Sequence, residues 1–241
     1  MGRCLAPGCA LSFCYSTCLA ITLAFDVYGT LIDTHGVVDK LEELVGDRAR
    51  DFSSTWRDKQ LEYSFRRGLM QSYENFAVCT RDALDYTCSR FAMDMTPGEK
   101  QALLDIYREL PAFDDVHDAL TALSARDCRS YAFSNGSEDA VETLLATAGI
   151  RGLFQGVVSC DDLRTFKPNP AVYAYFLTRA QASASEAWLI SGNPFDVIGA
   201  ISAGMRAAWV QRSADSVFDP WGIEPTVTVT SLGELAGKIG V

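Results

Sequence analysis

Histidine is scarce: the 241 residues hold only His35 and His117. A Ser-His-Asp triad, or a metal centre built on several imidazoles, is therefore a poor reading of the chain. Positive charge is short too, with 21 Lys+Arg against 31 Asp+Glu and a formal net charge of −10 at pH 7. Nucleic acid and anionic membrane both reward a basic surface, so neither is expected as a partner. An anionic substrate would have to be met by positive charge gathered locally. There is no internal repeat and no low-complexity linker.

Cysteine is plentiful, at 8 residues, but its spacing is uninformative for metals. Cys4, Cys9, Cys14 and Cys18 form no C-x-x-C pair and have no histidine near them, which argues against zinc. Cys79 and Cys88, nine residues apart in helical sequence, fall on opposite helix faces. Cys128 and Cys160 lie in apolar runs, where a free thiol packs as a small hydrophobe. The pattern reads as reduced, intracellular and cytoplasmic.

Residues 1–20 combine one Arg with small and apolar residues, a faint likeness to a signal peptide. Pro7 and Gly8 interrupt the apolar stretch, which is too short to cross a bilayer, and Ala6 spoils a myristoylation pattern at Gly2. The segment is read as a disordered N-terminal extension, because a buried strand starts at Ile21.

From there apolar runs end repeatedly in polar turns: Ile21–Phe25 before Asp26, Arg129–Phe133 before Ser134-Asn135-Gly136, Gly156–Ser159 before Cys160, Ala187–Ile190 before Ser191-Gly192-Asn193, and Arg206–Val210. Helices separate them. Ser137 is placed to cap one running through Thr147, and Asn169-Pro170 and Asn193-Pro194 open two more. This alternation predicts an α/β fold, a doubly wound, Rossmann-like parallel sheet whose ligands bind beyond the carboxyl ends of the strands. Residues 35–112 break the pattern with amphipathic helices near 36–50, 51–69, 73–93 and 97–110, the last opened by the capping box Thr96-Pro97-Gly98-Glu99. The expected division is a core of 21–34 with 113–241, carrying an inserted helical-bundle cap of 35–112.

Asp26, at the end of the first strand, has the setting of a covalent nucleophile: fixed by the sheet, exposed at a turn and near helix N-termini. Lys167 in TFKPNP and Asp196 in SGNPFD follow later strands. Two adjacent carboxylates would raise one pKa, and a lysine between them would keep both ionised. On the helix of residues 52–63, Arg57, Leu61 and Phe65 share one face, which places an arginine on an apolar stripe.

AFDVYGTL, SNGS, FKP and SGNPFD, in this order and with a helical insert after the first, resemble the haloacid dehalogenase superfamily. Most members of that superfamily are phosphatases, which use a second aspartate two residues after the nucleophile and paired acidic residues for Mg²⁺. Here those positions hold Tyr28 and Asn193. WRDKQLEYSFRRGLM, with Asn75-Phe76 and Val172-Tyr173, looks like the type II (S)-2-haloacid dehalogenases.

That resemblance implies hydrolysis of short (S)-2-haloalkanoates to (R)-2-hydroxy acids plus halide, through an aspartyl ester and without metal or organic cofactor. Asp26 would attack C2, and Arg57, Asn135 and Phe195 would cradle the halide. Ser134 and neighbouring backbone N–H groups would hold the carboxylate. Asp196 would activate water oriented by Asn193, while Lys167, Ser191, Thr30 and Tyr173 fix the network. Tyr28, Leu61, Phe76 and Phe195 would wall the pocket, and relatives suggest a homodimer. Asp58, beside Arg57, departs from the uncharged amide expected there, as do Gly192 and Pro194 from the small residues expected. A Mg²⁺-dependent phosphatase and a non-catalytic anion-binding protein on the same scaffold are the alternatives.

Overall fold

The computed structural model describes residues 21–241; the expectations about residues 1–20 and their four cysteines lie outside the described residues. β1 (Ile21–Phe25), β2 (Cys128–Ser134), β3 (Gly156–Ser159), β4 (Ala187–Ser191), β5 (Arg206–Val210) and β6 (Val227–Val229) form one sheet in the order β3-β2-β1-β4-β5-β6. Every neighbouring pair is parallel. The reversal of strand order on either side of β1 puts the end of that strand at the crevice where such sheets bind ligands.

Alternation along the strands explains why both faces are covered. Leu23 and Phe25 pack into one core with Trp188, Ile190, Ala208 and Val210, whereas Ala24, Leu189, Ala207 and Trp209 face a second. Helices α5 (Val116–Ser124) and α6 (Glu138–Thr147) and the short C-terminal α9 (Leu235–Ile239) supply apolar side chains to the first face. α7 (Pro170–Ala180) and α8 (Pro194–Ser202) supply the second, through Val172, Tyr173, Phe176, Val197 and Ala200. Strands buried on both faces carry mostly apolar residues, which is why these segments read as apolar runs, with Thr22 and Ser130 as buried polar exceptions.

Between β1 and α5 the chain is helical: α1 (Val38–Val45), α2 (Ala49–Leu69), α3 (Phe76–Arg90) and α4 (Pro97–Ile106). The expected first helix, near 36–50, is broken into α1 flanked by short 3-10 turns, because Gly46 adopts φ +59° and ends α1. α3 is shorter than expected at both ends: the Asn75 side chain caps it by accepting from Val78 N–H. The capping box at Thr96 and Glu99 forms as read. Cys79 and Cys88 do lie on different faces of α3, packed into separate apolar clusters. Ser137 holds the N-cap position of α6, but its hydroxyl makes no capping bond. β6 escaped the sequence reading. It has three residues and carries polar Thr228 at its centre, so it lacks the apolar run that marks the others.

Candidate active site

The residues at the carboxyl ends of β1, β2 and β4 converge. Asp26 N–H donates to Ile190 O at 2.9 Å, which ties the start of the turn to β4. Gly29, at φ +79°, lets the chain double back so that the N–H groups of Thr30, Leu31 and Ile32 all return to Val27 O. That fold-back lays the Thr30 hydroxyl on the nucleophile candidate: Thr30 Oγ1 donates to Asp26 Oδ2 at 2.7 Å. Arg212 holds the turn from outside, donating to Thr30 O through Nη2 (2.6 Å) and Nε (3.1 Å) and to both oxygens of Asp115 through Nη1. Burial alone would raise the Asp115 pKa; the Leu232 N–H and Arg212 outweigh it and hold the carboxyl below its usual range.

Asn193 occupies the N-cap of α8 yet makes no capping bond, because its amide is turned to the site. Nδ2 donates to Asp26 Oδ2 at 2.8 Å and to Tyr28 O at 3.2 Å. Its own N–H donates to Ser191 Oγ at 3.1 Å, which fixes the side chain's direction. A missing cap beside a functional group is a local rule given up for the site.

Lys167 is the hub. It is 1% exposed, and its Nζ donates to Asp26 Oδ1 (3.1 Å), Asp196 Oδ2 (2.8 Å) and Phe133 O (2.8 Å), so all three ammonium protons are used. Burial by itself would lower the Lys167 pKa; the facing carboxylates of Asp196 and Asp26 reverse it and hold the ammonium well above its usual value. Lys167 N–H donates to Asn135 Oδ1 at 2.9 Å, which orients the Asn135 amide at the end of β2. Asp196 is fully buried, accepting from Lys167 and, at 2.8 Å, from Tyr173 Oη. Burial raises its pKa above the ordinary carboxylate value, against the pull of Lys167. Burial and then the Asp196 carboxylate keep the Tyr173 phenol neutral far above neutral pH.

Tyr173 reaches Asp196 only because α8 has no side chain at Gly199: a Cβ there would stand 2.3 Å from Tyr173 Oη and 2.8 Å from Pro168 Cβ. Gly199→Ala is expected to lower the melting temperature by roughly 3–10 °C, the effect of about 1–3 kcal/mol of overpacking in a chain of this size, as read by calorimetry.

The helical insert contributes from above. Arg57, on α2, donates through Nη2 to Tyr28 O (3.3 Å) and through Nη1 to Gln60 Oε1 (2.7 Å). The Tyr28 ring lies 5.9 Å from that of Phe76, and Phe65 stacks edge-on to Phe195 at 5.0 Å. Burial pushes the Tyr28 phenol up to about 12, so it is an uncharged wall at neutral pH. Leu61, one turn beyond Arg57 on α2, is partly buried. Ser134 Oγ accepts from Gly136 N–H at 3.0 Å, which leaves its own proton to donate. Three clefts border residues of this network, though neither Asp26 nor Asp196 lines them: one of about 430 Å³ bordered by Tyr28, Gln60, Phe76 and Gly136, one of about 530 Å³ bordered by Arg57, Asp58 and Asn193, and an apolar one of about 710 Å³ bordered by Phe65, Lys167 and Phe195.

The sequence reading missed Gln60, Arg212, Asp115 and Gly199. Gln60 stands three residues from Arg57 and carried a signal as a neighbour on one helix face; the other partnerships join residues far apart in the chain and left none.

A divalent cation does not fit this donor set. Asp26 Oδ2 already takes two donors, both Asp196 oxygens are engaged, and the ammonium of Lys167 lies where a shared cation would bridge the carboxylates. Among the described residues no three His, Cys, Asp or Glu side chains gather into a cluster that could hold a metal ion by themselves.

The chain belongs to the haloacid dehalogenase-like hydrolase family, whose model matches residues 22–204. Within that family it is similar to the haloacetate dehalogenase H-2 of Moraxella sp. (strain B), 36% identical over 219 residues, covering 91% of this chain and 97% of that protein. It is likewise 36% identical to the (S)-2-haloacid dehalogenase of Pseudomonas sp. (strain YL), over 87% of this chain and 90% of that one. The structure of L-2-haloacid dehalogenase from Xanthobacter autotrophicus with chloropropionic acid covalently bound superimposes with a TM-score of 0.85 at 29% identity, covering 91% of this chain and 98% of that chain.

Proposed function

We propose that the chain hydrolyses short (S)-2-haloalkanoic acids to (R)-2-hydroxy acids, halide and a proton, through an ester on Asp26. The observation that carries this reading is Lys167 clamped between Asp26 and Asp196, with uncharged Tyr28 where a phosphatase would need its proton donor. A halide is a weak base and leaves without protonation, so the site has what a carbon–halogen bond needs and lacks what a phosphate ester needs.

Asp26 Oδ2 is saturated by Thr30 and Asn193, whereas Oδ1 has Lys167 alone at 3.1 Å. Oδ1 is therefore the attacking oxygen. It forms a bond to C2 from behind as the carbon–halogen pair of electrons leaves with the halide, toward Arg57, Asn135 and the Phe195 ring. Ser134 and the backbone N–H groups of Val27, Tyr28 and Asn135 receive the substrate carboxylate. Tyr28, Leu61 and Phe76 enclose the alkyl group. Asp196, made more basic by burial, takes a proton from water while the resulting hydroxide attacks Cγ of the Asp26 ester; the bond from Cγ to the substrate oxygen then breaks, the leaving oxygen takes back a proton from Asp196, and the hydroxy acid departs while the re-formed Asp26 carboxyl releases the one net proton. Attack at the protein's carbonyl carbon leaves C2 inverted once, hence (S) to (R). Residues 35–112 act as a cap over this site, and the enzyme works as a cytoplasmic homodimer; no helix among the described residues is long and apolar enough to cross a membrane.

Chloride release from (S)- but not (R)-2-chloropropionate, unchanged by excess EDTA, is the expected result, with chloroacetate also turned over. Phosphate release from a phosphate ester that depends on Mg²⁺, without chloride, would replace this reading by the phosphatase.

A further inference from the structure

Arg57 is held by two unequal acceptors. The bond from Nη2 to Tyr28 O is long, 3.3 Å, whereas the bond from Nη1 to Gln60 Oε1 is 2.7 Å. Gln60 is 1% exposed, so protein partners set its amide. Its other end donates from Nε2 to Thr80 Oγ1 on α3. Thr80 Oγ1 has one proton, and it goes to Phe76 O at 2.9 Å, one turn back in the same helix. Toward Gln60 the threonine can therefore only accept. This fixes which way the amide faces: its NH₂ must point to Thr80 and its carbonyl to Arg57. The relay Arg57 to Gln60 to Thr80 to Phe76 is directional from end to end.

We infer that Gln60 is a positioning residue which aims the Arg57 guanidinium at the leaving halide, with Thr80 as the group that sets its orientation. The inference rests on the dehalogenase reading of the site. Nη1 is the pivot, kept on Gln60 throughout. The Nη2 contact to Tyr28 O is the exchangeable one, weak enough to be given up when an anion arrives, and the remaining guanidinium N–H groups stay free for that anion. Tyr28 O also accepts from Asn193 Nδ2, so release of Arg57 leaves that carbonyl satisfied. The relay also ties the cation to Phe76, whose ring packs on Tyr28, so the anion donor and the pocket wall are set by one chain of bonds. A glutamate at position 60 would neutralise the guanidinium instead of aiming it, and an aliphatic side chain would leave it unaimed.

The test uses Gln60→Leu, Gln60→Glu, Thr80→Val and Thr80→Ser in the full chain. It reads kcat and KM for (S)-2-chloropropionate, the inhibition constant of added bromide, and bromide-dependent protection in thermal unfolding, which needs no turnover. Gln60→Leu is expected to weaken kcat/KM and bromide affinity by about tenfold or more, the usual worth of one charge-assisted hydrogen bond. Gln60→Glu weakens both further. Thr80→Val follows Gln60→Leu, and Thr80→Ser, which restores the hydroxyl, returns both to within about twofold of the unaltered chain. If Thr80→Val and Gln60→Leu remain folded and keep bromide affinity and kcat/KM within about twofold, or if Thr80→Ser fails to restore what Thr80→Val loses, the inference is overturned. Absence of chloride release from the unaltered chain would instead remove the dehalogenase reading, and bromide protection would still report on Gln60 and Arg57.

Discussion

Asp26→Ala is expected to abolish halide release, by roughly four to six orders of magnitude, the scale on which removal of a covalent nucleophile acts. The fold should survive it. Lys167, Asp26 and Asp196 together carry one excess negative charge, and the substrate carboxylate adds another. Loss of Asp26 leaves Lys167 paired with Asp196 at 2.8 Å and still bonded to Phe133 O, so no buried charge is stranded. Halide release is thus expected to vanish with little change in melting temperature, which separates the chemical role from a structural one. A single turnover in heavy-oxygen water, with enzyme in excess over (S)-2-chloropropionate, should place the label in the Asp26 carboxylate and not in the hydroxy acid. Label in the product, or more than about a hundredth of the activity left in folded Asp26→Ala, would mean that water attacks C2 directly and that no ester forms.

The same charge arithmetic assigns Arg57 its importance. The three buried groups repel an anionic substrate on balance, and Arg57 offsets that charge where it reaches Tyr28 O from α2. A globally acidic chain can still bind an anion if one cation and several N–H dipoles are aimed at the same small volume.

Sequence made Asp26, Lys167 and Asp196 legible because each follows an apolar run, and parallel strands carry such run ends to one edge of the sheet. The strands from Gly156 to Ser159 and from Arg206 to Val210 match the structure residue for residue, since each carries a run of buried small and apolar residues bounded by polar turns. Helix ends were read less well, for a local reason at each. Asn193 looks like a cap and spends its amide on Asp26, and Ser137 sits at a cap without bonding. Arg212 with Thr30 and Asp115, and Gln60 with Thr80, were hidden because a hydrogen bond between distant residues imposes no period on either segment. Gly199 gave no signal either: the need for glycine there comes from Tyr173 crossing on another helix.

Asp196→Asn should separate the two halves of the reaction. The nucleophile is intact, so one halide per protein is released in a burst, after which the Asp26 ester persists and can be detected by mass spectrometry on the peptide that contains Asp26. Steady turnover is expected to fall by about a thousandfold or more, since the variant cannot take the proton from water. An asparagine accepts from Tyr173 through its oxygen but then offers an NH₂ to the Lys167 ammonium, a donor facing a donor. A stability loss of about 1–3 kcal/mol is expected alongside. The pH behaviour follows from the same carboxylate. Burial raises the Asp196 pKa, so the protonated, inactive form persists above the ordinary carboxylate range, and the ester step should fade on the acid side before halide release does. Near the acid limb the unaltered enzyme should therefore begin to show the burst that Asp196→Asn shows at neutral pH. The stability linkage has the opposite reach. An upward shift on Asp196 contributes stability that is full below its ordinary value near 3.8 and is lost as pH rises through the higher folded value. The upward shift on Lys167 contributes fully below its ordinary value near 10.5 and is lost as pH rises through the higher folded value. Acid should thus stop the second chemical step by protonating Asp196, which also discharges its ion pair with Lys167, whereas Lys167 itself gives up its proton only in alkali. Equal loss of burst and turnover with falling pH would place the titrating group before ester formation and remove Asp196 as the base.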